Sequence, residues 1–108
     1  MWFERTGAFK ADWKSLSPSE REIVRAVLPA FNAAADAAAD DVAAHKFDRR
    51  RWPKSLRVHD IENAPGIWSV TFNFASPDIR ATFEWASNAE QPTILWRRLG
   101  RHDIFNNP

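Results

Sequence analysis

The chain predicts an α+β protein in which a short N-terminal strand and helices pack on one face of a twisted antiparallel β-sheet. Three observations carry this expectation. Apolar residues near the N-terminus recur at helical spacing behind a sharp start signal. Nine of the fifteen residues 30–44 are alanine, the strongest helix former. From residue 56 onward the apolar period switches to two, in segments separated by short polar turns. With 108 residues, 44% of them hydrophobic, and with six Trp and eight Phe, one domain over residues 1–108 can hold its own core.

The elements follow in order. "WFERT" (residues 2–6) is a short extended candidate cut by Gly7. Phe9, Trp13 and Leu16 then share one side of a short amphipathic helix. "SPSE" opens a second helix: Ser17 caps, Pro18 takes the first helical position and Glu20 completes a capping box. Ile23, Val24, Val27, Leu28 and Phe31 continue its apolar face. Pro29 lacks a backbone donor and is expected to kink or break this helix. The alanine-rich stretch offers little side chain to bury and is expected to pack closely on the sheet. "LRVHDI", "GIWSVTFNF", "IRATFEWA" and "TILWRRLG" then alternate, with "NAPG", "ASPD" and "SNAEQP" as turns, and such an order reads as an antiparallel meander. One face collects Trp68, Val70, Phe72, Phe74, Ile79, Ala81, Phe83, Trp85, Ile94 and Trp96, and the helices are expected to cover it.

Composition narrows the function classes. There is no cysteine, so disulfides and thiolate metal sites are excluded. The N-terminal sequence is charged every few residues and does not read as a signal peptide, and no apolar run approaches ~18 residues, so a cytoplasmic, non-membrane protein is expected. The formal net charge is only +1, but it is unevenly spread. Residues 1–45 hold 5 Lys+Arg and 7 Asp+Glu, a net of −2, whereas residues 46–108 hold 10 and 7, a net of +3. "KFDRRRWPKSLR" (residues 46–57) can meet a phosphate backbone or serve as a solvated linker.

Strict alternation sets Arg57, His59, Ser69, Thr71, Asn73, Arg80, Thr82, Glu84, Thr93 and Arg97 on the second face of the sheet. Arginines flanked by hydroxyls can clamp a phosphate, and the same residues can form the cross-strand charge pairs of an ordinary wet face. His102, just past the last strand, titrates near neutrality and is a candidate proton donor or acceptor. No metal-ligand spacing, GxGxxG, P-loop or GxSxG motif is present.

The order of short strand, helical pair, "SLRVH", "GIWSV", "RATF" and a closing "RLGRHDIF" resembles the RelE/ParE superfamily of bacterial toxins. The ending is similar to that of its YafQ-like ribonuclease members. The likeness in layout covers nearly the whole chain, and the likeness in motif covers residues 54–108. It implies a RelE-like fold and the toxin of a type II toxin–antitoxin pair. Such a toxin cuts mRNA on the ribosome by attack of a ribose 2′-hydroxyl, leaving a cyclic phosphate and using neither metal nor cofactor. The implied partners are a cognate antitoxin, the ribosome and mRNA.

By the same resemblance, Arg57 and Arg80 would hold the scissile phosphate and His102 would be the general acid or base. Phe105 would stack on a base, and Arg97, Arg98, Arg101 and His102 would form one wall of an RNA site whose floor is the polar sheet face. Lys54 with Arg49, Arg50 and Arg51 would touch ribosomal RNA. Many relatives carry Glu and Arg where this chain has Ser69 and Thr71. A ParE-like gyrase inhibitor that needs no general acid, or a catalytically weakened relative that only binds an antitoxin, are the alternatives.

Overall fold

The first strand, β1 (Trp2–Arg5), ends at Thr6, whose side chain starts the first helix. Its Oγ1 accepts from the Phe9 N–H at 3.0 Å, the N-cap bond that satisfies an otherwise orphan donor. Helix α1 (Gly7–Ser15) buries Phe9 and closes at Leu16. Arg21 seals its C-terminal end by donating to the carbonyls of Trp13 (3.1 Å) and Lys14 (3.0 Å). The structure is a computed structural model that describes residues 2–43, 52–73, 78–86 and 93–108.

Helix α2 (Pro18–Ala43) begins with the expected capping box. The Glu20 N–H donates to Ser17 Oγ at 3.2 Å, and the Ser17 N–H donates to Glu20 Oε1 at 2.9 Å. The helix runs through Pro29, so of the expected kink or break the break does not occur. Both Pro29 and Arg25, whose carbonyl loses its partner there, are exposed, so water can take the freed acceptor.

Four further strands follow: β2 (His59–Ile61), β3 (Ala64–Asn73), β4 (Ile79–Ala86) and β5 (Thr93–Gly100). Their order in the sheet is β1-β5-β4-β3-β2. The meander β2 to β5 is antiparallel as expected, but β1 lies beside β5 and runs parallel to it. The sheet is therefore mixed. The N-terminal strand is its edge and not part of the layer above it, because the two helices carry the chain across to the far side before β2 begins.

The helices cover one face. Phe31 of α2 sits at its centre, with ring centroids 5.3 Å from Trp52, 5.3 Å from Phe83 and 4.8 Å from Trp96. Val70, Phe72, Ile79, Ala81 and Ile94 complete the buried layer with Ala34 and Ala35. Ala34 and Ala35 thus pack close on the sheet, whereas Ala30, Ala33 and Ala37 are exposed. Phe74 lies outside the described residues. Trp52, within the basic stretch, is buried in the same cluster, so that stretch is not wholly a solvated linker. Among the described residues no helix is long and apolar enough to cross a membrane.

Candidate functional site

The second face of the sheet was expected to be wet, and the structure corrects this. Ser69 (0% exposed), Thr71 (2%) and Thr82 (0%) are buried. The segment after β5 folds back as a 3₁₀ turn (His102–Asn106) against β4 and β5, the strands of Thr82 and its neighbours, while the His59 ring lies against Ser69. Gly100 shows where it lies. A Cβ there would meet Ile104 Cγ2 at 2.9 Å, and Gly100 pairs with Arg80 on the face of Thr82. Only a residue without a side chain lets the turn approach this closely.

Register arranges the polar residues in two rows. One runs His59, Ser69, Thr82, Arg98 across β2, β3, β4 and β5; the other runs Thr71, Arg80, Gly100. Thr71 pairs with Arg80, and Arg57 lies two residues before β2, outside the ladder. Arg57 is itself exposed, with left-handed backbone (φ 44°, ψ 46°), a region that costs a non-glycine residue about 1–2 kcal/mol. It closes the 3₁₀ turn Lys54–Leu56, in which Lys54 is exposed.

Strict alternation fails at the end of β5. Phe83 pairs with Trp96 but Thr82 pairs with Arg98, so Arg97 is the extra residue of a β-bulge. The bulge keeps both adjacent arginines out of the core. Arg97 Nη1 meets Glu84 Oε2 at 3.1 Å. Arg98 Nε donates to Asp12 Oδ2 at 2.7 Å, and this bond raises the guanidinium's pKa above its ordinary value. Arg80 holds Asp78 Oδ2 with Nη2 (2.9 Å) and Nε (3.0 Å). Its guanidinium carbon also lies 5.5 Å from the centroid of Phe105, within cation–π range.

The structure thus gathers Arg80, Arg97, Arg98 and Phe105, together with the backbone of His102, on one face, and ties the Arg57 carbonyl to its β2 edge through His59. Arg80, Arg97 and Arg98 each already hold a carboxylate of the same chain. Arg101 turns away to Glu20 on α2, at 3.6 Å. Arg49, Arg50 and Arg51 lie outside the described residues, as does the side chain of His102.

No family model, no curated protein and no solved structure matches this chain.

Sequence reasoning passed over two residues that the site uses. His59 Nδ1 lies 2.8 Å from the Arg57 carbonyl, which can only accept, so Nδ1 carries the proton in the neutral ring. Its Nε2, 3.1 Å from Ser69 Oγ, is then the acceptor for that hydroxyl. The chain of bonds ties the left-handed turn of Arg57 to the sheet. Alternation placed His59 on this face, but only the ladder shows Ser69 as its neighbour. Asp12 accepts both from Arg98 and from the Leu99 N–H (3.0 Å), and no signal in the sequence of α1 announces that role. Among the described residues no group of three or more His, Asp or Glu side chains forms a metal-ligand set.

Proposed function

We propose that this protein is the toxin of a RelE-like type II toxin–antitoxin pair, acting as a metal-independent, ribosome-dependent mRNA endoribonuclease. The observation that supports the reading most is the convergence of Arg80, Arg97, Arg98, Phe105 and the His102 turn over a floor of sheet hydroxyls. That set combines guanidinium groups for a phosphate, a ring for a base and a titratable group for proton transfer.

In the reaction the ribose 2′-oxygen attacks the adjacent phosphorus. The P–O5′ bond breaks, leaving a 2′,3′-cyclic phosphate and a 5′-hydroxyl. One proton leaves the 2′-hydroxyl and one reaches the departing 5′-oxygen, and His102 serves one of these transfers. Arg57 and Arg80 hold the non-bridging oxygens as charge develops. Phe105 stacks on a neighbouring base, while Lys54 and Arg49, Arg50 and Arg51 meet ribosomal RNA phosphates. An antitoxin protein, the ribosome and mRNA are the partners, in the cytoplasm.

A second reading has its own support. Arg80, Arg97 and Arg98 are each paired with an acidic residue of the same chain, and buried Ser69 and Thr71 stand where many RelE-like toxins carry charges. These features fit a relative that binds an antitoxin without cutting RNA, or a ParE-like gyrase inhibitor. Mapping RNA 5′ ends after induced expression decides. New ends clustered within translated frames support the nuclease. Intact mRNA with inhibited gyrase supercoiling would replace it with the ParE-like reading.

A further inference from the structure

The segment that covers the arginine face touches each of the three arginines it covers. Arg97 Nε donates to the Pro108 carbonyl at 3.0 Å, and Arg98 Nη1 donates to the Asn107 carbonyl at 3.2 Å. Phe105 lies on the Arg80 guanidinium. A main-chain carbonyl presents a guanidinium with the same kind of acceptor as a phosphate oxygen, and an aromatic ring presents the same kind of surface as a base. The segment therefore occupies the face in the manner of the ligand proposed for it.

Its hold on the rest of the molecule is thin. Ile104 is its buried apolar anchor, and it stands apart from the main core cluster on the other side of the sheet. Two backbone bonds of 3.1 Å, Ile104 N–H to the Arg101 carbonyl and Asn107 N–H to the Ile104 carbonyl, shape the turn. Short 3₁₀ turns have poorer hydrogen-bond geometry than α-helix and add little cohesion of their own. The floor beneath is polar where a permanent interface would be apolar. Thr82 Oγ1 is buried with no hydrogen-bond partner, a state proteins rarely keep in a sealed interior.

We propose that residues 102–108 form a strap that closes the arginine face against polyanions, and that a single-stranded RNA backbone binds only when the strap lifts. Lifting frees one acceptor-filled position on Arg97 and one on Arg98, uncovers the guanidinium of Arg80, and opens Thr82 to a phosphate oxygen or water. The identity of the ligand rests on the nuclease reading, whereas the existence of the strap does not.

The natural chain has no cysteine, so Thr82→Cys introduces a single thiol probe under the strap. Its labelling by an aromatic disulfide is expected to be slow alone. It should become about tenfold faster or more when combined with Ile104→Ser, which removes the anchor, or with Gly100→Ala, which crowds it. Without the probe, both variants should bind inorganic polyphosphate and a single-stranded oligoribonucleotide about tenfold tighter than the natural chain, because a mostly closed site divides the intrinsic affinity by its open fraction.

Equal labelling rates in folded variants would overturn the strap, and so would faster labelling with no gain in affinity for either polyanion. Faster labelling with tighter polyphosphate binding but no RNA binding would keep the strap and overturn the RNA reading. Loss of the folded tryptophan spectrum in both variants would show that the segment belongs to the core, and would overturn the proposal as well.

Discussion

Arg57 combines a strained backbone with the phosphate-holding role proposed for it. Its left-handed backbone is held by the His59 ring on its carbonyl, and a glycine would adopt the same conformation without steric cost. Arg57→Gly is expected to raise stability in urea unfolding by about 0.5–1 kcal/mol while reducing RNA cleavage. A less stable variant would show that the turn is not strained. Arg80→Ala should slow single-turnover cleavage by about 10²–10³-fold, the usual loss for one donor aimed at developing charge. His102→Ala should cost roughly 10²–10⁴-fold and flatten one limb of the pH–rate profile. Unchanged rates in both would remove them from the site. The sequence marked Arg57 and Arg80 by residue type and alternation. It did not mark the left-handed turn, because neither arginine nor the following valine signals such a conformation.

Among elements, β4 and β5 were legible to their last residue, since "IRATFEWA" and "TILWRRLG" alternate and are bounded by turn residues. By contrast β2 came out shorter than "LRVHDI" suggested, because the 3₁₀ turn takes Leu56 and the left-handed turn takes Arg57, while β3 begins at Ala64, inside the expected "NAPG" turn. The bulge at Arg97 left a trace in hindsight: two adjacent arginines in an alternating strand require one residue to leave the register. That the second face would be covered was not legible, since alternation reports polarity and not what folds over it.

Two helix-end features carry measurable stability. The backbone N–H of Ser17, its hydroxyl contact and Arg101 hold the Glu20 carboxyl below its ordinary value of 4.5. A lowered folded value means that this stability is fully present above about pH 4.5 and is lost as pH falls through the lower value. Glu20→Ala should therefore melt earlier at neutral pH, by about 1 kcal/mol, with the gap to the natural chain closing in acid. A gap that persists at the lowest pH would assign the effect to something other than the charge. Asp12→Ala leaves Arg98 and the Leu99 N–H without their acceptor and should cost about 2–3 kcal/mol, read as a fall in Tm of roughly 10 °C or more. An unchanged Tm would mean that water replaces Asp12 at no cost.

At the scale of the whole molecule, the α+β class and the antiparallel meander followed from period and order. The mixed sheet did not, because four residues of β1 cannot declare which edge they join. If the nuclease reading holds, induced expression should arrest bacterial growth, and co-expression of an antitoxin should restore it. Normal growth with abundant folded protein would leave the non-cutting relative as the better account.

The pairing of β1 with β5 also sets a timetable for synthesis. Residues 2–5 are translated long before their partners, residues 93–96. Such distant pairing is slow to close and cannot begin while β5 is still being made. Helix α1, whose Asp12 binds Arg98 and the Leu99 N–H, waits for the same event. The arginine face is thus completed after its own translation has passed β5, and the nascent chain does not carry a finished site while earlier codons are being read.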